Sequence, residues 1–182
     1  MDRVDINAIL ARLKGGEVAA KSQFFDIVYG ELRSMARSVL AANSGLLGAT
    51  SLVHEVYLKL FRSDAHNWVD RAHFLATAAR AMRQVVVDRV RFWESEKRTG
   101  NHVSLDEGNH PLRVSGPHLL ALDEALQRLE RLDPELVEVV EMRFFAGYAI
   151  ADVARILDVS LRTVVRRWEI ARAWLARELA DV

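Results

Sequence analysis

The 182-residue chain contains no cysteine. Disulfides and thiolate metal sites are therefore excluded, and a cytoplasmic setting is natural. With only three prolines and nine glycines, long helices can run uninterrupted, and the few breakers mark where they end. No eighteen apolar residues run together, and the opening MDRVDINAIL lacks the basic-then-apolar order of a secretion signal, so no membrane segment is expected. An excess of one charge is also missing, because 25 Lys+Arg balance 25 Asp+Glu. A nucleic-acid partner must then be argued from how charge is distributed. The chain has no glycine-rich phosphate loop, no Gly-x-Ser-x-Gly and no dinucleotide fingerprint. His54, His66, His73, His102, His110 and His118 show no metal-site spacing with carboxylates. No catalytic residue, cofactor or metal is expected, and the chain is not read as an enzyme.

What is present is helical periodicity. Hydrophobic residues make up 51% of the chain and charged residues 27%, enough to build cores under a soluble surface. Asp5 to Leu13 reads as a short helix ended by Gly15-Gly16, and Phe25, Val28, Leu32, Met35 and Val39 carry a second to Ala42. Asn43 to Gly48 breaks it. A third helix, about Thr50 to Arg62, buries Leu52, Val53, Val56, Leu60 and Phe61 and shows Glu55, Lys59 and Arg62. After a polar connection, Ser63 to Asp70, a long helix runs from Arg71 to about Lys97. It carries Phe74, Ala78, Met82, Val85 and Val86 on one stripe and Arg80, Arg83, Gln84 and Arg91 on another. Arg71 to Arg98 holds seven basic residues and three acidic ones.

Thr99 to Pro117 holds three of the nine glycines and two of the three prolines, and reads as a linker. Beyond it, Leu119, Leu122, Leu126, Leu129 and Leu132 make a helix, and Asp133-Pro134 caps and starts the next. Tyr148 to Leu179 then has the pattern of a helix-turn-helix. Its first helix lies near Ile150 to Leu157, the turn passes through Asp158 and Val159, and Ser160 caps the second. Val164, Trp168, Ala171, Leu175 and Leu179 share that helix's apolar stripe, while Arg162, Thr163, Arg166 and Arg167 crowd its entering end, as suits a helix in a major groove. A solvated surface helix would show the same amphipathic pattern. Ala154, small where two helices must approach, and Asp158, tolerant of left-handed backbone, favour the DNA-binding reading. The expected fold is all-α, with two small helical domains at residues 1–98 and 118–182 joined by a flexible linker at 99–117.

Together these stretches resemble the extracytoplasmic-function (ECF) sigma factors of bacterial RNA polymerase, over nearly the whole chain. SLVHEVYLKLF at Ser51 to Phe61 resembles the family helix that grips the clamp of the polymerase largest subunit. RAHFLATAARAMRQVVVDRVR at Arg71 to Arg91 resembles its minus-ten segment, with Arg83-Gln84 at a usual Arg-Asn pair and Asp88-Arg89 at a usual acidic-basic pair. LDPELVEVVEMRFFAGYAIADVARILDVSLRTVVRRWEIARAWL is similar to the minus-thirty-five domain. The resemblance implies a sigma factor whose partners are core RNA polymerase and promoter DNA. Polymerase contacts would fall on Ser51, His54, Glu55, Leu58 and Lys59. Minus-ten contacts would fall on Trp68, equally suited to packing, and on Arg80, Arg83 and Gln84, and minus-thirty-five contacts on Arg162, Thr163, Arg166 and Arg167. Arg167 is also suited to phosphate or to a contact inside its own domain.

Three departures matter. Many relatives carry Trp where this chain has Thr77, and the usual lysine and serine after Thr-Val are Val165 and Arg166. Relatives also carry acidic residues just before the clamp helix, where this chain reads GATSLVH. Thr50 and Ser51 put hydroxyls in that place, and phosphorylation would add roughly 1.5 to 2 negative charges at a helix N-terminus. A Ser/Thr kinase acting there, or an anti-sigma factor, would then control polymerase binding; alternatively, both hydroxyls are ordinary N-caps. Two rival functions stay open: a helix-turn-helix regulator that does not join polymerase, and a sigma-like interaction adaptor.

Overall fold

A computed structural model describes residues 6–42, 48–61, 68–98 and 116–180. Among these there are eight α-helices, one π-helical turn and no strand. Helix α1 (Ile6–Lys14) ends where Gly16 takes a left-handed φ of 79°, which glycine alone adopts without cost. Helix α2 (Val18–Ala42) follows directly, and α3 (Ala49–Leu60) and α4 (Arg71–Arg98) complete the N-terminal group. Helix α4 starts cleanly because the Asp70 carboxylate accepts from the His73 backbone N–H at 2.8 Å.

The N-terminal core forms where α2, α3 and α4 meet. Phe24 stacks on Trp68 at 5.8 Å and meets Phe74 edge-on at 4.8 Å, and Phe61 meets Trp68 edge-on at 5.3 Å. Val28, Leu32, Met35, Val39, Leu52, Val53, Val56 and Met82 are buried around this cluster. One expected core position shifts by a residue. Phe24 is fully buried, while Phe25 is half-buried and packs edge-on against Tyr29 and Tyr57.

Helix α5 (Gly116–Leu132) takes in the last two residues of the expected linker; residues 99–115 lie outside those described. So do residues 43–47 of the expected break, Arg62 at the end of the expected third helix, and residues 63–67 of the connection. Leu119, Leu126 and Leu129 are buried as the periodicity requires, but Leu132, at the helix end, is 70% exposed. The Asp133 carboxylate accepts from the N–H groups of Glu135 and Leu136, and Pro134 opens α6 (Pro134–Val140). A π turn (Glu141–Phe145) continues α6, and Gly147 (φ 75°) ends the run. Helix α7 (Ile150–Ile156), a turn with Asp158 left-handed at φ 52°, and α8 (Leu161–Glu178) form the helix-turn-helix. Ser160 caps α8 through the Thr163 N–H at 3.0 Å.

The two groups of helices are packed together. Helix α4 contacts both α5 and the π turn, and α2 also contacts the π turn. A Cβ on Gly147 would lie 1.9 Å from Ser38 Oγ on α2, so this approach tolerates glycine and nothing larger. The cap at Ser160 is local and testable. Ser160→Ala should cost about 1 kcal/mol of stability, as loss of an N-cap does, read as a lower urea midpoint with unchanged slope.

Candidate nucleic-acid interfaces

The N-terminal end of α8 divides its four candidates. Arg162 and Arg166 are exposed and make no ion pair with any described residue. Thr163 is half-buried, and its hydroxyl lies 2.7 Å from Ser160 Oγ within the cap. Arg167 is turned inward: its side chain is 15% exposed and it pairs with Glu135 on α6. Glu138 lies close enough to feel that guanidinium; burial raises its carboxyl pKa while Arg167 draws it down. Arg167 is thus a contact inside the C-terminal group, the second of the two roles the sequence suggested. Trp168, behind it, has the guanidinium of Arg143 at 5.2 Å and that of Arg172 at 6.0 Å from its ring centre.

Helix α3 presents a stripe at steps of three and four: Ser51, His54 and Leu58 are exposed on it, and Leu58 is 49% exposed. Glu55 and Lys59 are instead held sideways against α4. Glu55 pairs with Arg89, and Lys59 reaches Asp88 at 3.3 Å, so the two neighbouring charges of α4 are answered in crossed order by α3. At the start of α3 the N-cap position belongs to Gly48, no side chain caps the helix, and its first turn contains no acidic residue. Thr50 and Ser51 are exposed inside that first turn. The N-cap role expected of them as an alternative is therefore not theirs.

From Phe74 to Val90 most of helix α4 is buried. Its open stripe is His73, Thr77, Arg80, Gln84, Asp88 and Arg91, spaced by threes and fours. A cleft of about 340 Å³ lies along its upper part, lined by Trp68, His73, Thr77, Arg80 and Gln84 among others. Of the four minus-ten candidates, Gln84 is exposed on this stripe. Trp68 is 5% exposed; it packs in the aromatic cluster and shows the cleft little surface. The Thr77 hydroxyl is spent on the His73 carbonyl at 2.7 Å.

Arg83 departs most from the sequence reading, which places it on a DNA-facing surface. It is 4% exposed. Its Nε donates to Asp123 Oδ1 at 2.8 Å, its Nη1 to Glu141 Oε1 at 2.8 Å and its Nη2 to the Asp123 carbonyl at 3.1 Å. Arg91 reaches the other Asp123 oxygen at 2.9 Å, and Gln127 donates to that same oxygen at 2.8 Å. Arg80 pairs with Glu130 and stands 3.6 Å from Glu141. Helical spacing explains the burial: Arg83 lies four residues after Ala79 and four before Val87, both buried, and so faces the C-terminal helices. Asp123, Glu130 and Glu141 were not singled out from the sequence. The signal that could have found them is charge complementarity, since residues 118–182 hold twelve acidic against nine basic residues while Arg71 to Arg98 is strongly basic.

Burial raises the Glu141 carboxyl pKa, although Arg80 and Arg83 both pull it down. A carboxyl held above its ordinary range favours the fold while protonated. That contribution is present below the ordinary glutamate range and is lost as pH rises through the raised value. Glu141→Gln gives up an ion pair with Arg83, but its stability relative to the wild type should rise as pH climbs from the ordinary glutamate range through the raised value. Urea midpoints measured across that window check it, and parallel curves would contradict it.

Among the described residues, no helix is long and apolar enough to cross a membrane. No curated protein matches the chain. The profile of the family described as ECF sigma factor matches residues 3–181.

Proposed function

The chain belongs to the ECF sigma factor family, which acts in transcription initiation with core RNA polymerase and promoter DNA, and on that premise we propose how its surfaces divide the work. The polymerase performs the chemistry and this chain supplies recognition. Residues 1–98 would bind core polymerase and the minus-ten element, and residues 118–182 the minus-thirty-five element. The observation that carries the reading is the match over residues 3–181, which spans every surface invoked.

At the minus-thirty-five element, Arg162 and Arg166 would lie in the major groove. Both are exposed and unpaired among the described residues, at the N-terminal end of a helix whose opposite side is buried. Thr163 would sit beside them. The clamp contact would use Ser51, His54 and Leu58 directly, with Glu55 and Lys59 fixing α3 against α4. In vitro transcription on a genomic fragment library tests the whole reading: promoter-specific transcripts with core polymerase are expected. DNA binding without transcripts would favour a regulator that does not join polymerase, and polymerase binding without DNA would favour an adaptor.

The control point we propose is phosphorylation of Thr50 or Ser51. Both hydroxyls are exposed, neither caps the helix, and the first turn of α3 carries no acidic residue. A phosphate there would gain from the helix dipole and restore the charge that the polymerase clamp would meet. A Ser/Thr kinase is the partner this requires; an anti-sigma factor is the alternative form of control.

Two measurements follow from these assignments. Thr50→Glu and Ser51→Glu should each raise affinity for core polymerase several-fold at low salt over the unmodified protein, with the gain shrinking as salt rises. Full-strength binding by the unmodified protein would remove the kinase switch and leave the sigma reading intact. Arg166→Ala should weaken promoter binding by about 1–3 kcal/mol and reduce the salt slope by about 1. An unchanged slope and unchanged promoter use would show that α8 is oriented otherwise.

A further inference from the structure

Three cations of α4, Arg80, Arg83 and Arg91, already have partners, and those partners are carboxylates from the C-terminal helices. Asp123 on α5 accepts from Arg83 and Arg91, Glu130 on α5 accepts from Arg80, and Glu141 on the π turn accepts from Arg83. Arg83, at 4% exposure, can touch neither a phosphate nor a base while this arrangement holds. Asp123 and Glu141 are as deeply buried as the arginine. The contact is also fitted sterically at a second place, where Gly147 lies against Ser38 on α2 without room for a Cβ. Beside the ion cluster a cleft of about 440 Å³ carries Lys59, Gln84, Asp88 and Gln127, so the polar face is covered and not dismantled.

We propose that this closed arrangement is an autoinhibited state, in which Asp123, Glu130 and Glu141 occupy the cationic face of α4 in place of DNA phosphates. The proposal rests on the assignment of α4 to the minus-ten element. Single-stranded DNA and the C-terminal helices compete for Arg80, Arg83 and Arg91, so the free chain binds DNA weakly. A core polymerase that holds the two groups of helices apart frees the face of α4, whereas Arg162 and Arg166 on α8 are exposed already. The carboxylates suit this task because they offer the same anionic, bidentate partner to a guanidinium that a phosphate does. Breaking the contact leaves Arg83 hydrated and available.

The test uses the full chain. Because it has no cysteine, Ser22→Cys on α2 and Ala173→Cys on α8, both at exposed positions, accept a fluorophore pair that reports the separation of the two groups. Two variants open the contact by different routes. One is the triple change Asp123→Asn, Glu130→Gln and Glu141→Gln; the other is Ser38→Trp, which inserts bulk against Gly147 and alters no charge. Both should lower energy transfer while keeping the helical circular dichroism. Both should also bind a labelled oligo-dT at fixed low salt at least tenfold more tightly than the wild type. A gain shared by Ser38→Trp cannot come from reduced net negative charge. Adding Arg80→Glu to either open variant should abolish the gain.

The outcomes separate. If the wild type already binds oligo-dT as tightly as the open variants, autoinhibition is wrong. If both variants keep their helices and their energy transfer, the contact is not what holds the chain closed, and the proposal fails. If they open without any gain in DNA binding, the minus-ten assignment of α4 falls, and autoinhibition falls with it.

Discussion

The arrangement of the two groups of helices depends on one buried guanidinium. Arg83 leaves water almost completely, at a cost of several kcal/mol for an ion that finds no partner. Asp123, Glu141 and a backbone carbonyl take up its donors. Each of those partners belongs to a different piece of chain from α4, so satisfying one side chain positions α5 and the π turn together. Asp123 is in turn held by Arg91 and Gln127. Such networks are stable when complete and costly when half-made, because removing one member strands a buried charge. The contact is therefore closer to all-or-none than to graded.

The same rule of periodicity decides which arginines are offered to solvent. On α8, Arg167 lies three residues after Val164 and four before Ala171, both fully buried, and so at the edge of the apolar stripe, where Glu135 receives it. Arg162 and Arg166 are rotated away from that stripe. On α4 the exposed line runs His73, Thr77, Arg80, Gln84, Asp88, Arg91, and Arg83 is off it. Three neighbouring arginines on α8, or three on α4, are not one surface. A side chain's angle about the helix separates exposed groups from structural ones.

Much of the fold was legible. The helices from Arg71, from Asp133-Pro134 and from Ser160 begin where capping chemistry requires, and Asp158 takes the left-handed turn its residue type permits. The helix-turn-helix and the family resemblance rest on such local patterns, and the family match over residues 3–181 agrees with the resemblance. The candidate interfaces were legible only in part. Arg162 and Arg166 are exposed, Arg167 takes the domain-internal role that was one of the two open to it, and Arg83 and Trp68 are taken up by packing. A hint was available in α4, whose Ala78, Ala79, Ala81, Val85, Val86, Val87 and Val90 are apolar on more sides than one neighbour can cover.

The sequence by itself determined where helices start and stop, which side of each is apolar and which family the chain resembles, because capping, glycine and proline geometry and the 3.6-residue period act within a few residues. Only the tertiary structure decided which charges face each other. Arg83 and Glu141 are 58 residues apart, and no local rule couples them; they meet because the apolar surplus of α4 must be covered from a second side. That covering brings the acidic C-terminal helices against the basic face, and with it decides which of the arginines are free.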